Sequence, residues 1–72
     1  MQNVYAPKYR GLLAKLKQAR TEAGLTQVEV AKSFRKPQSF VAKFESGERR
    51  LDFVEVEKLA NLYGKPLSFF RS

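Results

Sequence analysis

Histidine, cysteine and tryptophan are missing from these 72 residues, and only seven acidic side chains stand against fourteen lysines and arginines. The lack of cysteine rules out disulfide staples and thiolate metal sites. Without histidine or cysteine, the usual pairings of nucleophile and base lose their commonest members. The scattered carboxylates form no obvious acid/base couple: Glu55 and Glu57, two positions apart, diverge on a helix. Glycines occur singly at 11, 24, 47 and 64, so no phosphate-cradling glycine signature is present. Neither enzyme activity nor a bound cofactor is expected. No apolar run approaches the roughly 18 residues of a membrane span, and the start, Met1-Gln2-Asn3-Val4-Tyr5-Ala6-Pro7-Lys8, lacks the apolar stretch of a signal peptide. A cytoplasmic protein is therefore expected.

What is present is positive charge and a modest core. The net charge is +7, and 43% of the residues are hydrophobic. A chain this short forms one domain and buries only about 60% of its unfolded surface. The cationic excess makes polyanions, nucleic acid or an acidic membrane, the first partners to consider.

Apolar spacing and cap residues divide the chain into short helices with no strand signal. From Tyr9 to Ala23, the residues Leu12, Leu13, Leu16, Ala19 and Ala23 recur at helical intervals. Gly24 is placed to end that helix, with Leu25 folding back on its last turn. Thr26 and Glu29 form a T-x-x-E capping box that opens a second helix, whose narrow apolar face is Val30, Ala31 and Phe34. Pro37 disfavours helical geometry at Lys36 but suits a first turn, so a third helix is expected from about Pro37 to Glu45 or Ser46, ended by Gly47. A connection of two or three residues between the second and third helices has the length of a helix-turn-helix corner. Asp52 and Glu55 repeat the capping logic for a fourth helix, which carries Val56, Leu59, Ala60 and Tyr63 and ends at Gly64. Leu67, Phe69 and Phe70 then form a last apolar turn. Residues 1–8 read as an N-terminal arm and 9–72 as the domain.

At 100° per residue, Gln38, Ser39, Ala42 and Lys43 cover an arc of about 140° on the third helix, with Pro37, Phe40, Val41 and Phe44 opposite. Small and polar side chains of this kind suit a major groove. Glutamine matches adenine N6 and N7, lysine reaches guanine O6 or N7, and alanine touches a thymine methyl. Gln27, Lys36, Arg49, Arg50, Lys8 and Arg10 bracket that helix with groups suited to phosphates.

The run Leu25-Thr26-Gln27-Val28-Glu29-Val30-Ala31, followed by Lys36-Pro37-Gln38-Ser39-Phe40-Val41-Ala42-Lys43-Phe44-Glu45-Ser46-Gly47-Glu48-Arg49-Arg50-Leu51, resembles the Cro/CI-type (XRE, lambda-repressor-like) helix-turn-helix family over about residues 12 to 70. The resemblance implies an all-α, five-helix DNA-binding domain of a bacterial or phage transcriptional regulator, associated with the nucleoid. Such proteins are usually homodimers on a palindromic operator in double-stranded DNA. It implies further that Lys36, Gln38, Ser39, Ala42 and Lys43 occupy base-contacting positions and that Gln27 binds phosphate; Arg20, Arg35, Arg49, Arg50, Lys8 and Arg10 are, by their charge and position, additional phosphate candidates. An ion pair between Arg20 and Glu45 is implied as well. Glu45 lies at about −20° on the wheel, at the edge of the apolar face, where an acid needs a partner. The family commonly has glycine where this chain has Arg35; a left-handed residue there costs on the order of 1 kcal/mol.

Leu67, Phe69 and Phe70, with Phe53 or Leu62 joining them, either close the domain's own core or, as the family resemblance implies, form the expected dimer surface. Operator occupancy blocks RNA polymerase, whereas a favourable contact with polymerase activates it. The alternative is a protein-binding adaptor or antitoxin-like partner on the same scaffold, since fold does not fix function. A peripheral membrane protein is disfavoured because the cations are not confined to one helix face.

Overall fold

The computed structural model describes residues 7–71, which form four α-helices and a closing 3₁₀ helix with no strand among them. The helices are α1 (Pro7–Glu22), α2 (Gln27–Ser33), α3 (Gln38–Ser46) and α4 (Phe53–Tyr63), and the 3₁₀ helix is Leu67–Phe70. The fifth helix is 3₁₀ because Pro66 sits at its head and four residues suffice only for a tight turn. Residues 1–6 of the expected arm, and Ser72, lie outside the described residues. Lys8, assigned to the arm by sequence, stands in the first turn of α1. Pro7 opens that helix at a position where a missing N–H has no partner to lose. No helix among the described residues is long and apolar enough to cross a membrane.

The boundaries follow from local chemistry. At Gly24 the backbone turns left-handed with φ of 75°, and the Leu25 N–H donates to the Arg20 carbonyl at 3.1 Å, closing the end of α1. Thr26 and Asp52 each accept from the backbone N–H three residues on, while Glu29 and Glu55 reach back to the N–H of the cap residue, so both expected capping boxes are formed. Pro37 lies one residue ahead of α3 rather than in its first turn: its φ and ψ, −70° and 160°, are extended. Its carbonyl accepts the Phe40 N–H at 2.9 Å.

Leu13, Leu16 and Ala19 of α1 meet Val30 and Ala31 of α2, Phe40, Val41 and Phe44 of α3, Leu59, Ala60 and Tyr63 of α4, and Phe70 in one core. Helix α1 is the hub, packing on α3, α4 and the 3₁₀ helix, and α2 rests chiefly on α3. Ala23 is exposed, contrary to its expected place on the inner stripe, because α1 has already ended and the Gly24 turn carries it outward. Of the three residues expected at a dimer surface, Phe70 is buried in the core of its own domain. Phe69 is half-buried and stacks edge-on against Phe70 at 5.1 Å. Leu67 stays exposed, as do Phe53 and Val54 at 66% and 69%. Leu67 and Phe53 border an open cavity of about 520 Å³ lined also by Tyr9, Leu12, Leu51 and Val56.

Candidate nucleic-acid interface

Helix α3 owes its orientation to its own sequence. Burial of Phe40, Val41 and Phe44 turns Gln38, Ser39 and Lys43 outward, with Ala42 half-buried between them. Phe40 packs against Phe34 at 5.4 Å and Phe44 at 5.5 Å between ring centroids, so α3 is held to α2 by a file of aromatic rings. The helix-turn-helix corner is Phe34 to Pro37. Arg35, at φ of 56°, is the one non-glycine residue with positive φ among those described, and the turn is closed by the Lys36 N–H donating to the Ala31 carbonyl at 3.0 Å. The side chain of Arg35 therefore occupies a conformation that costs a non-glycine residue about 1–2 kcal/mol.

Behind the exposed face lies a chain of charge-assisted hydrogen bonds. Arg20 donates from Nε to Glu45 Oε2 at 2.7 Å and from Nη2 to Oε1 at 3.2 Å. Its Nη1 satisfies the Leu25 carbonyl at 3.0 Å. The two side chains are 10% and 6% exposed, and the bond to Glu45 raises the Arg20 pKa above its ordinary value against the opposing effect of burial. Arg20 was expected both to pair with Glu45 and to contact phosphate. With Nε and both terminal nitrogens turned inward, it is not available to phosphate. Gln27 also faces inward in part: its Nε2 donates to Glu45 Oε1 at 2.9 Å, and its Oε1 accepts from Gln38 Nε2 at 2.6 Å.

The flanking cations divide into two groups. Arg49 grips Glu55 through both terminal nitrogens at 3.1 and 2.9 Å, donates to the Arg50 carbonyl, and lies 4.8 Å from the Phe40 ring. It braces the loop after α3 and is not free as a phosphate clamp, because its fork is already matched to a carboxylate. Arg50, by contrast, is exposed and lies over the Tyr9 ring at 4.5 Å. The Tyr9 hydroxyl accepts from the Leu51 N–H at 3.3 Å, which ties the head of α1 to this loop and brings the exposed Lys8 and Arg10 to the same end of the fold. Lys36 is exposed in the corner, 5.9 Å from the Phe40 ring. Lys36, Arg35 and Arg50 thus border α3 with open positive charge.

Comparison with known families agrees with the corner: the helix-turn-helix profile matches residues 16–70, well over half of the chain. The chain belongs to the Cro/CI-type helix-turn-helix family. That family is a DNA-binding one. No significant match to a curated protein or to a solved structure was found.

Three features of this helix-turn-helix domain escaped the sequence. Glu55 was legible as half of a capping box but not as the partner of Arg49, six positions earlier, because that pairing depends on the path of the loop. Gln27 gave no sign of its bond to Glu45, eighteen residues away. The ion pair between Lys65 and Glu22 at 2.7 Å, which fastens the end of α1 to the segment after α4, likewise joins residues distant in sequence.

Proposed function

We propose that this protein is a transcriptional regulator that recognises a specific operator in double-stranded DNA, with α3 seated in the major groove. The observation that carries this reading is the exposed row of Gln38, Ser39 and Lys43 on a helix whose opposite face is buried. In that pose Gln38 pairs with adenine, Lys36 and Lys43 reach guanine acceptors, Ser39 bonds whichever edge lies opposite, and the Ala42 methyl meets thymine. Arg35, Arg50, Lys8 and Arg10 neutralise phosphates on either side. Gln27 adds its second amide hydrogen to a neighbouring phosphate.

The described fold measures 29 × 25 × 20 Å, whereas successive major-groove faces on one side of a duplex recur about 34 Å apart. One copy therefore covers one half-site, and a two-fold pair matches an inverted repeat. Leu67 with the exposed Phe53 supplies the apolar surface for that pairing, since Phe70 is occupied in the core. Occupancy of an operator excludes RNA polymerase; contact with polymerase from the bound position recruits it.

The test is the salt dependence of binding to a duplex. The logarithm of the association constant is expected to fall linearly with the logarithm of salt concentration, with a slope of about −0.9 for each phosphate contacted. Binding to DNA that ignores salt, or a protein partner retained equally at low and high salt with no duplex binding, would replace the regulator with an adaptor or antitoxin-like protein.

A further inference from the structure

The cavity of about 520 Å³ where the head of α1, the head of α4 and the 3₁₀ helix meet has a lining that grades from buried Phe70 through half-buried Leu12, Leu51 and Val56 to exposed Phe53 and Leu67. A space of that size lies in the range that encloses a small organic ligand. Arg50, Asp52 and Arg71 also line it, two cations against one anion. The acid is engaged as the cap of α4, where Asp52 Oδ1 accepts the Glu55 N–H at 2.7 Å. Lys15 brings a third cation close by, donating from Nζ to the Arg71 carbonyl. Neither arginine is ion-paired among the described residues. The Arg50 guanidinium lies 4.5 Å from the Tyr9 ring, and Tyr9 is itself part of the lining. The backbone that carries Arg50 is tied on both sides: its carbonyl accepts from Arg49 at 2.9 Å, and the Leu51 N–H donates to the Tyr9 hydroxyl at 3.3 Å. An apolar hollow thus has open guanidinium groups along its charged edge.

We infer that this cavity is a binding site for a small amphipathic carboxylate, an aromatic or alkyl acid, and that the bound acid opposes DNA binding by engaging Arg50. The apolar body of such a ligand fills the hollow, and its carboxylate meets the arginines, whose planar fork matches it with two parallel hydrogen bonds. An amine of the same shape meets repulsion from the same cations, and an uncharged analogue gains the apolar contact alone. The effect on DNA rests on the reading of α3 as a groove-binding helix, in which Arg50 neutralises a phosphate at its rim. A guanidinium paired with the ligand is withdrawn from that phosphate, and the carboxylate adds negative charge next to the duplex. The coupling is reciprocal, so the duplex weakens the acid by the factor with which the acid weakens the duplex. Arg50 thereby links an apolar site behind the domain to the surface that meets DNA.

The experiment titrates octanoate and 2-naphthoate into the full chain, followed residue by residue by NMR, with octanol and 2-naphthamide as uncharged counterparts. Saturable shifts centred on Leu12, Val56 and Leu67 are expected, with the acids binding about fivefold or more tightly than their counterparts. Arg71→Gln, an exposed change at a residue given no part in DNA binding, is expected to weaken the acids about threefold or more while duplex affinity stays within about twofold. At saturation the acids are expected to weaken duplex binding about fivefold or more and to lower the steepness of its salt dependence by about 0.9. In Arg50→Gln, at acid concentrations that still saturate it, that effect should disappear. Equal binding of acids and counterparts, shifts centred elsewhere on the fold, duplex binding indifferent to bound acid, or an undiminished effect in Arg50→Gln would overturn the inference. Shifts lost as the protein self-associates would overturn it by giving the cavity to a second copy. Contacts from Val4 or Tyr5 to the lining in the free protein would do so by giving it to the chain's own start. A chain that binds the acids but no duplex would instead overturn the DNA-binding reading beneath it.

Discussion

Arg20 and Glu45 are twenty-five residues apart in the chain and 2.7 Å apart in the fold. The pair joins the end of α1 to the end of α3, and its third nitrogen closes the Gly24 turn through the Leu25 carbonyl. It therefore fixes α3 against the body of the domain at the edge of the polar face, beside Gln38.

Replacing one member of this pair leaves a charge in a site from which water is largely excluded. Arg20→Met is expected to cost about 3–5 kcal/mol, measured by urea or thermal unfolding. The double variant Arg20→Met, Glu45→Leu is expected to recover part of that loss, since no unpaired charge then remains. A single-variant loss below about 1 kcal/mol would place the pair among exposed ones that contribute little.

Arg35 gives a prediction of opposite sign. Its φ of 56° lies in the left-handed region, where glycine is relieved of about 1–2 kcal/mol of steric cost but adds flexibility to the unfolded chain that offsets about 0.4–1 kcal/mol of the gain. Arg35→Gly is expected to raise stability by up to about 1 kcal/mol, or several degrees in melting temperature for a domain of this size. It should also weaken DNA binding at low salt through the lost charge. An unchanged or lowered melting temperature would contradict the strain.

These residues also mark how far the sequence could be read. The ends of the helices were legible because their causes are local: a left-handed glycine at 24, 47 and 64, and capping boxes that begin at Thr26 and Asp52. The two faces of α3 were legible because periodicity alone separates Phe40, Val41 and Phe44 from Gln38, Ser39 and Lys43. The destinations of long polar side chains were not. Arg49 carries the same charge as Arg50 and stands next to it, yet one meets Glu55 and the other Tyr9, a difference set by the loop after Gly47. Arg20 could not be placed in a single role from helical spacing, because its burial depends on where α3 crosses α1. The aromatic end allowed two readings for a similar reason, closure of the core or a surface for a second copy, and for Phe70 the packing of the 3₁₀ helix on α1 decides for the core.

Acid titration tests the Arg49–Glu55 brace. The hydrogen bond from Arg49 holds the Glu55 carboxyl below its ordinary value, with a further contribution from the Asp52 N–H. A carboxyl depressed in the folded state stabilises the fold above its unfolded pKa, near 4.3, and that stability is lost as pH falls through the lower folded value. The wild-type protein is expected to exceed Glu55→Gln in stability by about 0.2–1 kcal/mol at pH 7, a small value because both side chains are partly solvated. The difference should vanish at the acid end of the titration. Glutamine keeps the capping bond to Asp52, so the comparison removes the charge and one of the two bonds from Arg49 while sparing the cap. An equal gap between the two proteins across the whole titration would show that the carboxylate charge plays no part.

The central claim, that the outer row of α3 reads base edges in duplex DNA, is tested most directly by selecting bound sequences from a random double-stranded pool. The account expects an enriched inverted repeat whose half-site centres are about 34 Å apart, with enrichment lost at one position of each half-site when Gln38 is replaced by alanine. A pool that emerges unenriched, or an enriched motif indifferent to Gln38, Ser39 and Lys43, would contradict it.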